Sequence, residues 1–249
     1  MVNEYNEISY AKKMLDSGFL TNKRMYELNI LAKYFFYLGY KPKEVQERVV
    51  DFCNNYFDSF SEAKYFDKIQ SILNNAKKVP IIEVGTIQIT EREVEFINSI
   101  KESFKFNDVL FCLLVIRKIR DKLGQQPYLN CKYTKFTKSC GLSSPKVLYP
   151  ILRRLEQLGF IRVCRNSNLE ILFNIDASNS QTVIEVNDFD NIYAYYHNYL
   201  GKGRYVECSS CGKMVRVNGN RQKYCKECYA ERQLEWQRES MKKIRENKM

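Results

Sequence analysis

The chain has 249 residues, of which 45% are hydrophobic, so it is long enough for one large domain or for two to three small ones with buried cores. No apolar run approaches the roughly 20 residues that span a bilayer, and the first ten residues are polar and mildly acidic, unlike a signal peptide. We therefore expect a cytoplasmic protein without a membrane partner.

The formal net charge of +11 is concentrated in two segments. Residues 1–105 carry 15 basic and 15 acidic side chains, whereas residues 106–174 carry 12 and 4 and residues 201–249 carry 13 and 6. Between them, residues 175–200 carry four acidic side chains and no basic ones. The two basic segments favour a polyanionic partner, and nucleic acid is the natural one; the alternative is a basic surface that only keeps the protein soluble.

Residues 1–105 predict an N-terminal helical domain. Apolar residues recur at helical spacing in three segments between residues 22 and 78. Gly39 fits the end of the first helix, and Pro42 fits the first turn of the second. Residues 81–89 alternate loosely, which predicts one short strand.

Part of this domain resembles the small helical module found C-terminal to primase domains in replication proteins of phages and plasmids. The resemblance rests on the helix pattern and on the phrases LAKYFFYLGYKPKEV and FDKIQSILNNAKK. It covers roughly 60 residues and contains no catalytic motif. The net-neutral charge of this domain also leaves it available as a binding site for another protein.

Two polar residues predict the starts of the next helices. Thr90 opens a capping box with Glu93 three residues on. Asn107 is suited to cap a helix over residues 108–123, which Gly124 would end. The second of these helices begins the first basic segment.

Residues 106–175 predict a compact domain of three helices. After the helix at 108–123, a short second helix covers residues 133–140. Ser143 or Ser144 caps the third helix, with Pro145 at its start. Two strands then follow, on either side of a turn at 165–168.

Three helices followed by a two-stranded hairpin is the order of the winged helix-turn-helix family. The stretch CGLSSPKVLYPILRRLEQLGFIRV resembles the turn, recognition helix and first wing strand of that family. In such domains the recognition helix enters the major groove of double-stranded DNA, and neighbouring cations hold the phosphates. The residues assigned to DNA on this basis are Lys132, Lys135, Lys138, Ser143, Ser144, Lys146, Tyr149, Arg153 and Arg165.

One residue departs from the family pattern. Pro150 lies about two turns into the recognition helix, where it removes a hydrogen bond and predicts a bend, or else a helix that begins only near Tyr149. Winged helices also serve as protein-docking modules, and this remains the alternative to DNA binding.

The strongest motif in the chain is a pair of CxxC sequences. Cys208 and Cys211 are followed by thirteen residues and then by Cys225 and Cys228. This spacing predicts one structural Zn²⁺ held by four thiolates, with no open position for catalysis. Disulfides and an iron–sulfur cluster are the alternatives. The remaining cysteines are isolated, as expected of reduced cysteine in the cytosol, and are Cys53, Cys112, Cys131, Cys140 and Cys164.

Around these cysteines, residues 205–249 predict a zinc ribbon with a terminal helix. Residues 213–217 read as a strand and 218–220 as a hairpin turn. The ribbon and its tail resemble the end of many phage and mobile-element proteins, in which the metal holds a basic hairpin. The phosphate contacts implied by this resemblance are Lys213, Arg216, Arg221 and Lys223.

Residues 176–204 predict an acidic linker that contains one helix. Asn187 is suited to cap a helix over residues 188–200. His197, the only histidine of the chain, lies in that helix and is expected to be a surface or packing residue, because it has no partner histidine.

No enzymatic motif accompanies these features. The sequence contains no phosphate-binding glycine loop, no GxSxG elbow and no HExxH, and one histidine excludes most histidine-based nuclease and nucleophile sites. We expect a DNA-binding protein of a phage or mobile element that acts in replication initiation or transcription control. The alternatives are a protein-binding adaptor and a counter-defence inhibitor that occupies a nucleic-acid channel of another protein.

Overall fold

A computed structural model describes residues 5–129, 132–164, 168–217 and 222–246. Over these residues the chain is mainly helical with three small antiparallel sheets, in agreement with the mainly α fold class. The helices are α1 (Glu7–Ser17), α2 (Arg24–Tyr37), α3 (Pro42–Tyr56), α4 (Glu62–Lys78), α5 (Glu91–Ser99), α6 (Phe104–Lys122), α7 (Tyr133–Ser139), α8 (Pro145–Gln157), α9 (Ile192–Tyr199) and α10 (Lys226–Glu246). The strands are β1 (Ile87–Thr90), β2 (Tyr128–Leu129), β3 (Ile161–Val163), β4 (Leu169–Ile171), β5 (Thr182–Val186), β6 (Tyr205–Glu207) and β7 (Met214–Arg216).

The chain separates into two compact units, Met1–Gly85 and Thr86–Met249. This division differs from the sequence-based boundary after residue 105. The reason is that β1 pairs with β5 and α5 packs on α6, so residues 86–105 belong to the C-terminal unit. The further boundaries predicted after residues 175 and 204 lie within that unit.

The N-terminal unit is built on α2, which packs against α1, α3 and α4. Its core contains Leu31, Val49 and Ile69, all at most 2% exposed. Gly39 follows α2 with a φ of 88°, and Pro42 begins α3, as the sequence predicts. Helix α1 precedes the three predicted helices and was not predicted.

The C-terminal unit is built around α6, which is buried along most of its length. Ser103, and not Asn107, is the N-cap: its side chain accepts a hydrogen bond from the backbone of Phe106. Asn107 is 8% exposed and lies inside the helix, so its predicted capping role is wrong. The capping box at Thr90 and Glu93 is present at the start of α5.

The acidic segment forms part of the C-terminal unit's sheet structure. Its strand β5 pairs antiparallel with β1, where Val186 faces Ile87 and Ile184 faces Ile89. Helix α9 begins only at Ile192, after Asn191, because residues 187–191 form a loop. The predicted cap at Asn187 is therefore wrong, and the segment is not a simple linker.

Helices α7 and α8 are joined by a tight turn at Gly141, which has a φ of 66°. Ser144 occupies the N-cap position of α8 and Pro145 its first turn. The helix continues through Pro150, which settles the alternative start near Tyr149 in favour of the longer helix. Strand β4 then pairs with both β3 and β2, which gives a three-stranded sheet in the order β2-β4-β3.

None of the helices in the described ranges combines the length and the apolar character that crossing a bilayer requires.

Candidate metal centre and basic surface

The first CxxC pair forms the turn of a β-hairpin made of β6 and β7. Cys208 and Lys213 are bonded across the turn, with the Cys208 amide donating to the Lys213 carbonyl at 2.8 Å. Gly212 closes it with a φ of 72°, a conformation that a side chain would strain. We call β6, β7 and their turn the metal hairpin.

The second CxxC pair lies at the start of a helix. Cys225 directly precedes α10, and its carbonyl accepts the amide of Tyr229 at 2.9 Å. Cys228 lies in the first turn of α10. The strand predicted at 213–217 is present as β7, but among the described residues it pairs with β6, which precedes it, and not with a strand after the predicted turn at 218–220. The second cysteine pair is carried by the start of a helix, which the sequence interpretation did not anticipate.

The four thiols converge on one point. All four sulfur atoms lie within 4.8 Å of one another, and the sulfurs of Cys211 and Cys225 are 3.8 Å apart. A tetrahedral thiolate site with metal–sulfur distances near ~2.3 Å places its sulfurs about 3.8 Å apart, whereas a disulfide requires about 2.05 Å. The residues therefore fit a metal ion and are free thiols.

Backbone amides point at two of the sulfurs. The Cys225 amide donates to the sulfur of Cys208 at 3.2 Å, and the Cys228 amide donates to the sulfur of Cys225 at 3.3 Å. Burial raises the pKa of the Cys208 thiol, but backbone hydrogen bonds, first that from Cys225, outweigh it and bring the pKa down to about 6. Such bonds stabilise thiolates and fix the orientation of metal ligands.

The metal hairpin packs on α9. Asn191 donates to the carbonyl of Met214 at 3.4 Å, and the ring of Tyr193 contacts that of Tyr205 edge to face. The hydroxyl of Tyr205 also lies 3.3 Å from Nδ1 of His197, whose Nε2 is 2.9 Å from an Asp108 carboxylate oxygen on α6. His197 is thus a packing residue that links α6, α9 and the hairpin. This agrees with one of the two roles expected for it from the sequence.

The residues predicted to contact DNA on α7 and α8 are mostly exposed. On α8, Lys146, Tyr149 and Arg153 lie on the solvent side, and Tyr149 is 52% exposed. On and before α7, Lys132 and Lys138 are exposed, whereas Lys135 is half-buried. Ser143 is exposed in the turn, and Ser144 is half-buried at the N-cap of α8.

Only some of the residues predicted to contact phosphate around the metal site lie in the part of the chain that the structure describes. Lys213 precedes β7 and is half-buried, whereas Arg216 and Lys223 are exposed. Arg221, like Arg165 of the predicted wing and the turn at 218–220, lies outside the described residues.

Sequence reasoning missed the residues that attach the metal hairpin to the rest of the unit. Asp188, at 8% exposure, accepts hydrogen bonds from the Met214 amide at 3.1 Å and from Asn191 at 3.2 Å. The available signal was the β-branched pattern of Thr182–Val186, which predicts a strand and hence a folded segment. The segment was interpreted from its acidic residues alone, and this strand pattern was overlooked.

Comparison with known proteins identified no relative: no family model, no curated protein and no solved structure matches the chain.

Proposed function

We propose that this chain is a non-enzymatic, DNA-binding protein of a phage or other mobile element, acting in replication initiation or transcription control. The observation that carries the proposal is the set of unpaired cations on α7 and α8. Within the described ranges, Lys138, Lys146 and Arg153 have no carboxylate partner, and all three are exposed. Unpaired cations on adjacent helices suit a row of phosphates.

Other cations of the same unit are engaged within the fold. Lys118 is bound to the Glu93 carboxylate at 2.7 and 2.8 Å, and Arg154 is bound to Glu102 at 2.8 Å. Arg117 donates to the backbone carbonyls of Ile171, in β4, and of Phe173, just after it. The net charge alone therefore overstates the positive surface, whereas Lys138, Lys146 and Arg153 remain exposed on α7 and α8.

The order of elements supports a winged helix-turn-helix interpretation. Helices α6, α7 and α8 are followed by the antiparallel strands β3 and β4, and β2 adds a third strand to that sheet. In this interpretation α8 is the recognition helix, and the side chains of Ser143, Lys146 and Tyr149 would meet base edges in the major groove.

A charge-reversal experiment tests the proposal. The double variant Lys146→Glu with Arg153→Glu is titrated against a labelled duplex of mixed sequence and about two helical turns at several salt concentrations. We expect the affinity to fall at least about a hundredfold, because two cations that face the DNA become carboxylates that its phosphates repel, and the salt dependence to weaken. The matched control is Lys12→Glu with Lys13→Glu, which makes the same charge change on exposed positions of α1. Equal affinity in both variants and the wild type would rule out α8 as the reader.

For the metal centre we propose Zn²⁺ in a structural role. Four thiolates saturate a tetrahedral ion, so no position is left for a reacting water. The Cys208, Cys211, Cys225 and Cys228 side chains would hold the ion and join the hairpin to the start of α10. When bound, the ion supplies cross-linking in a region whose buried core is little more than the cysteines themselves.

Metal analysis of one cysteine variant tests this role. We expect one equivalent of zinc in the wild type and its loss in Cys228→Ser, together with a hairpin that unfolds at a lower temperature, because structural zinc contributes about 10 kcal/mol or more to such folds. Cys164→Ser, outside the cluster and half-exposed, is the control and should keep the zinc. Wild-type protein that is purified without zinc and cannot be loaded with it would contradict the assignment.

An adaptor or inhibitor is the second candidate, and an aromatic groove on the N-terminal unit favours it. Phe35 and Phe52 form its floor, and the Arg48 guanidinium lies 4.0 Å from the ring centre of Tyr40. Aromatic and arginine side chains are typical of protein interfaces. An adaptor would bind duplex DNA weakly and without sequence preference, and an inhibitor would bind its protein target in the absence of DNA.

A further inference from the structure

Helix α10 separates its charged residues from its uncharged ones. Of the 18 residues from Tyr229 to Glu246, nine are charged and nine are not. An α-helix turns by about 100° per residue, and on this rotation all nine uncharged residues occupy one half of the circumference and all nine charged residues the other. The uncharged half, which we call the neutral face, consists of Tyr229, Ala230, Gln233, Leu234, Trp236, Gln237, Ser240, Met241 and Ile244. Such a division is typical of a helix that packs by one side.

The large apolar residues of the neutral face are exposed to solvent. Tyr229 is 55% exposed, Leu234 and Met241 are each 54% exposed, and Trp236 is 70% exposed. The side chain of Gln233 donates to the Tyr229 hydroxyl at 3.2 Å, so these two residues lie side by side on this face. Exposed apolar residues gathered on one side of an element mark a surface that meets another molecule.

The charged half of α10 argues against a membrane surface or a nucleic acid as that molecule. From Tyr229 to Glu246 it carries five basic and four acidic residues, and the two signs alternate along the helix. Helices that lie on bilayers or follow phosphates carry an excess of Lys and Arg on their polar side. A nearly neutral charged half instead suits a helix whose polar side faces water while the other side packs against protein.

The charges along one edge of the neutral face favour a second copy of the same helix. On the edge next to Leu234, the positions of Glu227 and Glu231 come first, and those of Arg238 and Arg245 follow toward the C-terminus. When two identical helices pack antiparallel about a two-fold axis, this edge meets itself in reverse. The acidic stretch of each copy then faces the basic stretch of the other.

The neutral face is also large enough for a specific contact. The 18 residues from Tyr229 to Glu246 span about 27 Å at a rise of about 1.5 Å per residue. The aromatic side chains of Tyr229 and Trp236 bury about 150–250 Å² each when they are covered. With Leu234, Met241 and the residues between them, they approach the roughly 800 Å² that each partner contributes to an interface of standard size.

We propose that the chain forms a dimer in which the neutral faces of two α10 helices pack antiparallel against each other across a two-fold axis. The four-cysteine centre lies at the start of each helix, because Cys225 directly precedes α10 and Cys228 lies in its first turn. The dimer does not depend on the proposed DNA-binding function. Under that function, a two-fold dimer would present two copies of α8 to two half-sites of opposite orientation.

Association is tested by sedimentation velocity of the full-length, metal-loaded protein at about 1 to 100 µM, a range that covers interfaces of moderate affinity. The test variant is Leu234→Gln with Met241→Gln, and the control is Glu235→Gln with Lys242→Gln. In both variants the changes are seven residues apart and leave the net charge as it was, and glutamine favours a helix about as well as the residues it replaces.

We expect the wild type to dimerise. The dissociation constant of the test variant should rise at least about a hundredfold, because four apolar side chains are lost from the interface of the two copies. That of the control should stay within about threefold of the wild type, because its changes lie on the solvent side of α10.

Trp236 reports directly on the neutral face, because it is the only tryptophan of the chain. It is 70% exposed in the single chain, so its fluorescence emission should shift to shorter wavelength as the wild-type protein is concentrated. The shift should follow the same concentration dependence as the sedimentation of the dimer. Only the wild type is needed, so this measurement holds even where a variant folds poorly.

The orientation of the two helices is tested by exchanging two charges. Glu231→Arg should weaken the dimer by about threefold or more, because two basic stretches then meet, and the addition of Arg245→Glu to the same chain should restore most of the affinity. In a parallel pair these two positions do not face each other, and the second change brings no recovery. Absence of recovery would therefore overturn the antiparallel arrangement.

The other outcomes decide on the dimer itself. Wild-type protein that stays monomeric at the highest concentration overturns the proposal, and so does a dimer that forms without a change in the Trp236 emission. Equal dissociation constants for the two glutamine variants would likewise exclude the neutral face as the contact. None of these results bears on DNA binding, which is decided by the titration of the α8 variants.

Discussion

Single residues at the α7–α8 turn combine a backbone requirement with a packing requirement. Gly141 has a φ of 66°, which costs a residue with a side chain about 1–2 kcal/mol. It also lies against the Tyr193 ring, so a methyl group at Gly141 has no room. Gly159, at the end of α8, has a similar φ of 77° but nothing within 4 Å of its added Cβ.

Substitution of these two glycines therefore measures how tightly the α7–α8 turn packs against α9. Gly141→Ala should destabilise the C-terminal unit by about 2–5 kcal/mol, the sum of backbone strain and overpacking, whereas Gly159→Ala should cost only about 1–2 kcal/mol. Urea unfolding followed by circular dichroism measures both. Equal losses for the two variants would mean that Tyr193 moves aside without cost and that the turn is not tightly packed against α9.

Which functional residues the sequence reveals depends on how local their chemistry is. The four clustered cysteines were found from spacing alone, because two residues of a CxxC pair reach one ion through a single turn. Asp188 and Tyr193 were not found, since their partners, Met214 and Tyr205, lie on another element and no local pattern links them. Contacts between residues that are far apart in the sequence cannot be inferred from local sequence patterns.

At the scale of an element, helix α5 is held at its start by one carboxylate with two tasks. Glu93 accepts hydrogen bonds from the amide of Thr90 at 2.7 Å and from its hydroxyl at 3.0 Å. It also binds the Lys118 ammonium of α6 at 2.7 and 2.8 Å, while its own side chain is only 4% exposed. The capping box is thus also the ion pair that fixes α5 on α6.

Neutralising that carboxylate should therefore cost more than the loss of a cap. Glu93→Gln keeps the shape but leaves Lys118 without its counter-charge, and we expect a loss of about 1–3 kcal/mol in the free energy of unfolding. Glu91→Gln, an exposed change in the same first turn, should cost about 0.5 kcal/mol through the helix dipole. Denaturant unfolding of the two variants measures the difference. A loss for Glu93→Gln no larger than that for Glu91→Gln would show that the Lys118 pair contributes nothing.

The start of a helix could be predicted where the sequence offers only one suitable capping residue. Thr90 was identified as a helix start because its partner Glu93 follows at the required spacing. Asn107 was misassigned because Ser103, four residues earlier, is an equally good cap, and burial of Phe106 and Asn107 inside the helix favours the earlier start. Strand β5 was missed although its β-branched residues predict a strand, because the segment was interpreted from its acidic charge; its partner β1, about a hundred residues earlier, could not be inferred from the local sequence.

At the scale of the whole molecule, the two compact units differ strongly in net charge. Residues 1–85 carry 12 basic and 11 acidic side chains, whereas residues 86–249 carry 28 and 18, so almost the entire excess belongs to the C-terminal unit. The near-neutral N-terminal unit has a core of its own, made of α1 to α4. If the ligand is a polyanion, as we propose, this asymmetry favours the C-terminal unit as its binding site.

Fragments test the division and discriminate between the boundaries after residues 85 and 105. Residues 1–85 and 86–249 should each unfold cooperatively on their own, because each contains the partners of its buried side chains.

The fragment 106–249 should be much less stable than 86–249. It lacks β1, so β5 loses its pairing strand and Val186 and Ile184 lose Ile87 and Ile89 opposite them. It also lacks Glu93, which leaves the Lys118 ammonium unpaired against α6. Removing several fully buried apolar side chains costs about 2–5 kcal/mol for each large one, more than a domain of this size has to lose. Thermal unfolding of the zinc-loaded fragments distinguishes the cases, and equal midpoints for 106–249 and 86–249 would restore the boundary that the sequence predicts.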